Sequence, residues 1–140
     1  MPTYDRFEDL QVWNTARILT QRIYQSSGEG KFSKDFGLRD QIRRASVSVM
    51  SNIAEGFESE TQALFISYLN RAKASAGEVR CQLYVALDLD YLSQDKFNQM
   101  LNLAEECSRQ LYGFIKYLKS QPNIRRVKEN QTLYFTQSQF

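Results

Sequence analysis

The sequence contains no histidine. That absence removes imidazole general acid–base catalysis, the Ser-His-Asp and Cys-His arrangements, and the Glu-x-x-His pairs with which four-helix bundles hold di-iron centres. No Cys-x-x-Cys zinc knuckle, Gly-x-x-x-x-Gly-Lys loop or Gly-x-Gly-x-x-Gly turn is present either. The chain is therefore expected to be non-enzymatic and to hold neither cofactor nor metal. Only two prolines and six glycines occur in 140 residues, which excludes collagen-like and low-complexity classes. No apolar run reaches the roughly 18 to 20 residues of a membrane span. The Met-Pro-Thr-Tyr-Asp start lacks the basic and apolar run of a signal peptide. A cytoplasmic protein with no membrane partner is the expectation. The two cysteines, Cys81 and Cys107, both read as lying on apolar helical stripes, which predicts buried free thiols rather than a disulfide.

What is present has ordinary globular proportions, with 42% hydrophobic and 24% charged residues. A chain of this length folds as one domain and buries roughly two-thirds of its unfolded surface. The periodicity predicts an all-α fold, an antiparallel up-down four-helix bundle over residues 1–120, followed by a flexible basic and polar tail over 121–140. Helix 1 is predicted from Glu8 to Ser27, with Val12, Ala16, Leu19 and Ile23 on one face. Gly28 and Gly30 end it, glycine being the residue that readily adopts the left-handed conformation of a C-cap. Helix 2, from Leu38 to Phe57, carries two stripes: Ile42, Ala45, Val49 and Ile53, then Val47, Met50, Ala54 and Phe57. These lie about 140° apart, too wide for one seam. Helix 2 is therefore either central in the bundle or partly covered by another subunit.

Ser59-Glu60-Thr61-Gln62 matches a capping box that opens helix 3, predicted over Glu60 to Asp90. Phe65, Leu69, Ala72, Ala76, Val79, Leu83 and Ala86 alternate spacings of four and three, giving three heptads of core positions. Small residues fill the middle of this helix. Gly77 costs about 1 kcal/mol relative to alanine, and close approach of a neighbouring helix is the expected compensation. Ser93 caps helix 4, which repeats Phe97, Ala104, Leu111 and Leu118 every seventh position and ends near Ser120, before Pro122.

Candidate binding residues follow from charge. Residues 116–140 contain Lys116, Lys119, Arg125, Arg126 and Lys128 against Glu129 alone, within a chain of net charge +2. Such a block meets nucleic acid or an acidic partner, or is a solvated tail. Tyr117 and Tyr134 are aromatics that could stack on bases. Arg39, Arg43 and Arg44 form a second basic group. Asp40 precedes the latter two by three and four positions, so intrahelical pairing competes there with subunit or nucleic-acid contact. Glu55 and Glu78 read as inward carboxylates whose expected role is a structural hydrogen bond or a salt bridge with Arg43, Arg44 or Arg71.

Several segments carry a family resemblance. Phe7-Glu8-Asp9-Leu10-Gln11-Val12-Trp13 resembles the opening signature of bacterial four-helix bundle proteins encoded in 23S ribosomal RNA intervening sequences. Phe36-Gly37-Leu38, Gln41-Ile42-Arg43-Arg44-Ala45 and Ser51-Asn52-Ile53-Ala54-Glu55-Gly56 resemble its helix 2. Tyr68-Leu69, Arg71-Ala72 and Ser75 to Glu78 resemble its helix 3, and Leu89-Asp90-Tyr91-Leu92 its third connector. Met50 stands where that family often has proline. The resemblance covers residues 6–119 and marks Trp13, Asn52, Glu55, Gly56, Arg71 and Glu78 as structural or interface positions. It implies a homopentameric ring. Members have been called S23 ribosomal proteins. A related branch, the accessory variability determinant of diversity-generating retroelements, binds a reverse transcriptase and nucleic acid and is more basic than this chain. The functions implied are an oligomer that binds RNA or a ribonucleoprotein, or a protein-only adaptor, for example of a reverse transcriptase.

Overall fold

The computed structural model describes residues 4–121. It consists of α1 (Gln11–Ser27), α2 (Phe36–Glu58), α3 (Gln62–Asp88) and α4 (Gln94–Ser120), with single 3₁₀ turns at Phe7–Asp9 and Phe32–Lys34. Each helix packs on the next and α4 closes back on α1. The connectors force antiparallel neighbours, so the result is the all-α, up-down four-helix bundle expected from the periodicity. The tail expected over 121–140, with Arg125, Arg126, Lys128 and Tyr134, lies outside the described residues from 122 onward.

All seven predicted core positions of α3 are buried, as are Phe97, Ala104, Leu111 and Leu118 of α4. Burying each large aliphatic side chain contributes roughly 1.5–3 kcal/mol. On α2, Ile42, Ala45, Val49 and Ile53 are buried. The second stripe is only partly covered: Met50, Ala54 and Phe57 are half-buried, and Val47 remains 39% exposed.

Several expectations change. Asp35, not the backbone near Leu38, opens α2; its carboxylate accepts from the Leu38 N–H at 3.1 Å. The predicted capping box is divided between two helices. The Ser59 hydroxyl donates back to the Gly56 carbonyl and so finishes α2. Thr61 caps α3 by accepting from the Leu64 N–H. The Gln62 amide is turned instead toward the Leu118 carbonyl near the end of α4. Gly28 ends α1 with φ −90°, outside the left-handed region, and only Gly30 (φ +55°) uses glycine's freedom there. Cys107 is buried, and desolvation, with the Glu106 charge adding to it, pushes its thiol up to about 12. Cys81 is exposed, contrary to expectation, because two positions beyond Val79 is about 200° around the helix. Glu55 and Glu78 are exposed rather than inward, and neither forms an ion pair with Arg43, Arg44 or Arg71. Gly77 faces open space, with nothing within 4 Å of an added Cβ, so close packing within the bundle does not explain it.

The α3–α4 connector is tied to the start of α2. The Tyr91 N–H bonds to Ala86 O and the Asp90 N–H to Leu87 O, a Schellman ending with Asp90 at φ 59° in the position usually held by glycine. This turn delivers the Tyr91 ring onto Phe32 at 5.4 Å and its hydroxyl to Asp35 Oδ2 at 2.9 Å. One carboxylate therefore caps α2 and anchors the connector.

Two glycines should respond oppositely to alanine. A Cβ on Gly56 would lie 2.8 Å from Tyr68 Cβ and 3.0 Å from Phe65 Cδ1. Gly56→Ala is expected to destabilise by about 1–3 kcal/mol through overpacking. Gly77→Ala should stabilise by about 1 kcal/mol, since it adds helix propensity in open space. Urea unfolding of both variants measures this; a stabilised Gly56→Ala would contradict the close seam.

Tyr91 provides a pH test. Its hydrogen bond to Asp35, with desolvation and the Asp35 charge adding to it, raises the phenol pKa above 10.0. A raised folded value means that this stabilisation is complete below the unfolded pKa of about 10 and is lost as pH climbs through the folded value. Thermal midpoints from pH 8 to 11 should fall more steeply for the natural protein than for Tyr91→Phe. Parallel curves would remove the hydrogen bond from the account.

Candidate functional site

The residues singled out by charge do not converge; the helices distribute them over three flanks. Arg43 is spent on the α1–α2 seam. Its Nε donates to Ser27 Oγ at 2.8 Å, its Nη2 to the Tyr24 carbonyl at 3.2 Å, and its guanidinium lies 4.6 Å from the centre of the Tyr24 ring. A cation bonded to a last-turn carbonyl complements the negative end of α1. Arg39 is likewise engaged, donating to Ser33 O at 3.0 Å and stacking on Phe36 at 4.8 Å. It, rather than Arg43 or Arg44, takes the Asp40 carboxylate, at 3.1 Å. The expected pairing fails because Arg43 turns across to α1.

Trp13 is half-buried on the same flank, edge-on to Phe7 at 5.1 Å, with Arg17 over it at 5.8 Å. With Tyr24 and Phe36 exposed by 43% and 64%, this side of the bundle is aromatic and only partly covered.

Arg44 belongs to the α2–α3 flank, an open groove of about 430 Å³ whose walls also carry Gln41, Ser48, Ser75, Glu78 and Gln82. A polar chain crosses its floor. Asn52 Nδ2 donates to Ser48 O and Oγ at 2.8 and 3.0 Å, and the Ser48 and Ser75 hydroxyls meet at 2.9 Å. Ser48 Oγ accepts from Asn52, and either hydroxyl can be the donor in its contact with Ser75. Arg71 is exposed and lies over Tyr68 at 5.0 Å. The motif residue Gly56 thus sets the α2–α3 spacing and Asn52 bonds the Ser48 that bridges it, while Glu55, Arg71 and Glu78 border it.

Lys116 and Lys119 fall on the α3–α4 flank. Lys73 of α3 sits over the Tyr112 ring of α4 at 5.4 Å, which places these two residues together on the outer surface. Helical spacing then adds Arg109, Lys116 and Lys119 around Tyr112, and Arg80 two turns from Lys73. Glu105, 3.9 Å from Arg109, is the carboxylate that shares this surface among the described residues. Tyr84 borders it, packed edge-on to Phe97 at 5.0 Å. Lys73, Arg80, Arg109 and Tyr112 are not among the sequence candidates. The spacing of Arg109, Tyr112 and Lys116 is readable on one helix; their juxtaposition with Lys73 needs the fold.

Chemically, this surface offers point charges and an aromatic face to a polyanion, whereas the groove offers charges of both signs. No group of three or more metal-ligating side chains is present among the described residues, and none of the helices described is long and apolar enough to cross a membrane.

Comparisons with known proteins agree with this architecture. A solved structure of a protein with unknown function from the S23 ribosomal protein family of Bacteroides thetaiotaomicron matches with a TM-score of 0.70 and 25% identity, covering 75% of this chain and 95% of that one. No curated protein matches. The family model of the 23S rRNA-intervening sequence proteins matches residues 8–113, most of the bundle. With that match spanning more than half of its length, the chain belongs to the 23S rRNA-intervening sequence protein family.

Proposed function

We propose that this protein is a non-enzymatic, homo-oligomeric binding protein of the cytoplasm whose target is RNA or a ribonucleoprotein. The observation that carries the reading is the α3–α4 surface, where Lys73 and Tyr112 stand together within a field of Arg80, Arg109, Lys116 and Lys119. Cations neutralise phosphates and release their counterions, and an exposed ring adds a base-stacking face. The half-covered second stripe of α2 supports assembly, and the pentameric ring implied by the family would present the cationic surface five times. Arg39 and Arg43, engaged in the α1–α2 seam, are not part of this contact.

A protein-only adaptor role is the second reading. It is favoured by the aromatic α1–α2 flank, because partly exposed rings are the residues most often found at binding hot spots. A reverse transcriptase is the partner class that the related retroelement branch suggests.

Fluorescence anisotropy with a labelled single-stranded RNA, between 50 and 300 mM salt, tests the first reading. The logarithm of affinity should fall linearly with the logarithm of salt. The double variant Lys73→Gln, Lys116→Gln should lower that slope by about 1.4, two phosphate contacts at about 0.7 each. Binding that ignores salt, or a slope unchanged by the double variant, would sink the RNA reading and leave the adaptor.

A further inference from the structure

Gly77 is the residue whose identity the fold leaves unexplained. It sits inside α3, where glycine weakens a helix relative to alanine, yet an added Cβ would meet nothing within 4 Å. The bundle itself therefore gains nothing from the missing side chain, and the bare spot faces outward. Its neighbours one turn either way on the helix surface are Lys73 and Arg80, about 10 Å apart along the axis. Glycine in such a place lets another molecule come close to the backbone.

Each of the two cations has an exposed ring beside it. Lys73 Nζ lies 5.4 Å from the centre of the Tyr112 ring, and Tyr112 is 58% exposed. Tyr84, 50% exposed, follows Arg80 by four positions and so adjoins it on the face of α3. Neither cation is in an ion pair among the described residues, and Glu105 is turned to Arg109 at 3.9 Å. Along α3 the order is thus cation with ring, bare turn, cation with ring. A nucleotide carries both a phosphate and a base, and a cation beside a ring answers both. In a duplex the base faces are already stacked on one another inside the helix, which leaves a protein ring nothing to stack on. In a single strand the bases splay out and stack on aromatic side chains. An acidic peptide needs the cations alone and gives neither the rings nor the bare turn a role. We propose that the α3–α4 surface takes single-stranded rather than duplex RNA, with a base stacked on Tyr112 and the strand passing over Gly77 between Lys73 and Arg80. This rests on the RNA reading above and names the form of RNA that the site takes.

Fluorescence anisotropy at one salt concentration tests this by comparing a labelled single-stranded RNA with the same strand annealed to its complement. The single strand should bind more tightly. Tyr112→Leu should weaken single-strand binding about fivefold or more, the loss of one base–ring stack, and Tyr112→Phe should keep it. Circular dichroism of both should match the natural protein, because the ring is largely exposed. No charge changes in Tyr112→Leu, so its salt slope should stay natural, unlike that of the Lys73→Gln, Lys116→Gln variant. Gly77→Leu should weaken single-strand binding several-fold and yet raise the urea midpoint, since leucine is the better helix former. Misfolding cannot produce that pair of opposite changes. Equal affinity for strand and duplex, or natural affinity in either Tyr112→Leu or Gly77→Leu, would overturn the proposal and leave the RNA reading to its own salt slope. No binding to either form would overturn both.

Discussion

The close approach of α2 and α3 is the constraint on which the remainder of the bundle depends. Gly56 leaves no room for a Cβ beside Tyr68 and Phe65, and Ala72 and Ala76 present small side chains to the same interior. Helices this near each other can share a hydroxyl pair, Ser48 with Ser75, which a separation larger by one methyl group would break. The hydroxyl contact in turn penalises sliding, because a shifted register would leave the buried Ser75 without its partner. Spacing and register therefore come from different residues: glycine and alanine supply the first, serine and asparagine the second. The larger residues of the core, Leu69, Leu83 and Leu111 among them, then fill the space that this seam leaves.

At the end of the bundle where α2 begins, the same economy appears in Asp35. Its two oxygens satisfy the Leu38 N–H and the Tyr91 hydroxyl. The start of α2 and the end of α3 are consequently fixed by one side chain, and the stacking of Tyr91 on Phe32 carries the tie into the α1–α2 connector. Compared with this, the exposed Lys96–Glu29 pair at 3.0 Å adds little, as surface ion pairs generally contribute about 0–1 kcal/mol.

The buried stripes of α3 and α4 are legible in the sequence because their apolar residues recur with the period of a helix, and the helices are long enough for the pattern to be unambiguous. Periodicity assigns a face, though, and does not say what stands opposite. Cys81 and Gly77 look interior only while the stripe is drawn too wide; a position 160–200° from Val79 lies on the far side of the helix. In the sequence Arg43 reads as a surface charge with an intrahelical partner. Its actual partners, Ser27 and Tyr24, lie 16 and 19 positions earlier, and no local rule reaches that far. The capping residues are recognisable as a set but not as individuals, because a short connector makes the C-cap of one helix and the N-cap of the next compete for the same few polar side chains. The Lys73–Tyr112 pair is invisible for the reason that hides the Arg43 contacts.

Net charge is a poor guide to where this molecule attracts anions. Arg39 and Arg43 contribute to the total, yet their guanidinium groups are bonded to carbonyls, a serine and a carboxylate, and are stacked on rings. Arg44 and Arg71 have no carboxylate partner among the described residues, but Arg44 shares an open groove with Glu78, and Arg71 and Glu55 lie farther along the same two helices, so the charge alternates along the flank. Among the described residues, Lys73, Arg80, Arg109, Lys116 and Lys119 gather on the α3–α4 side, where Glu105 pairs with Arg109. A nearly neutral chain can therefore divide its described surface into one flank with exposed aromatic rings, one of alternating charge and one of mostly positive charge. What separates these flanks is the helical angle at which each charge emerges, since a shift of one residue turns a side chain by about 100° and would move it from one flank to the next.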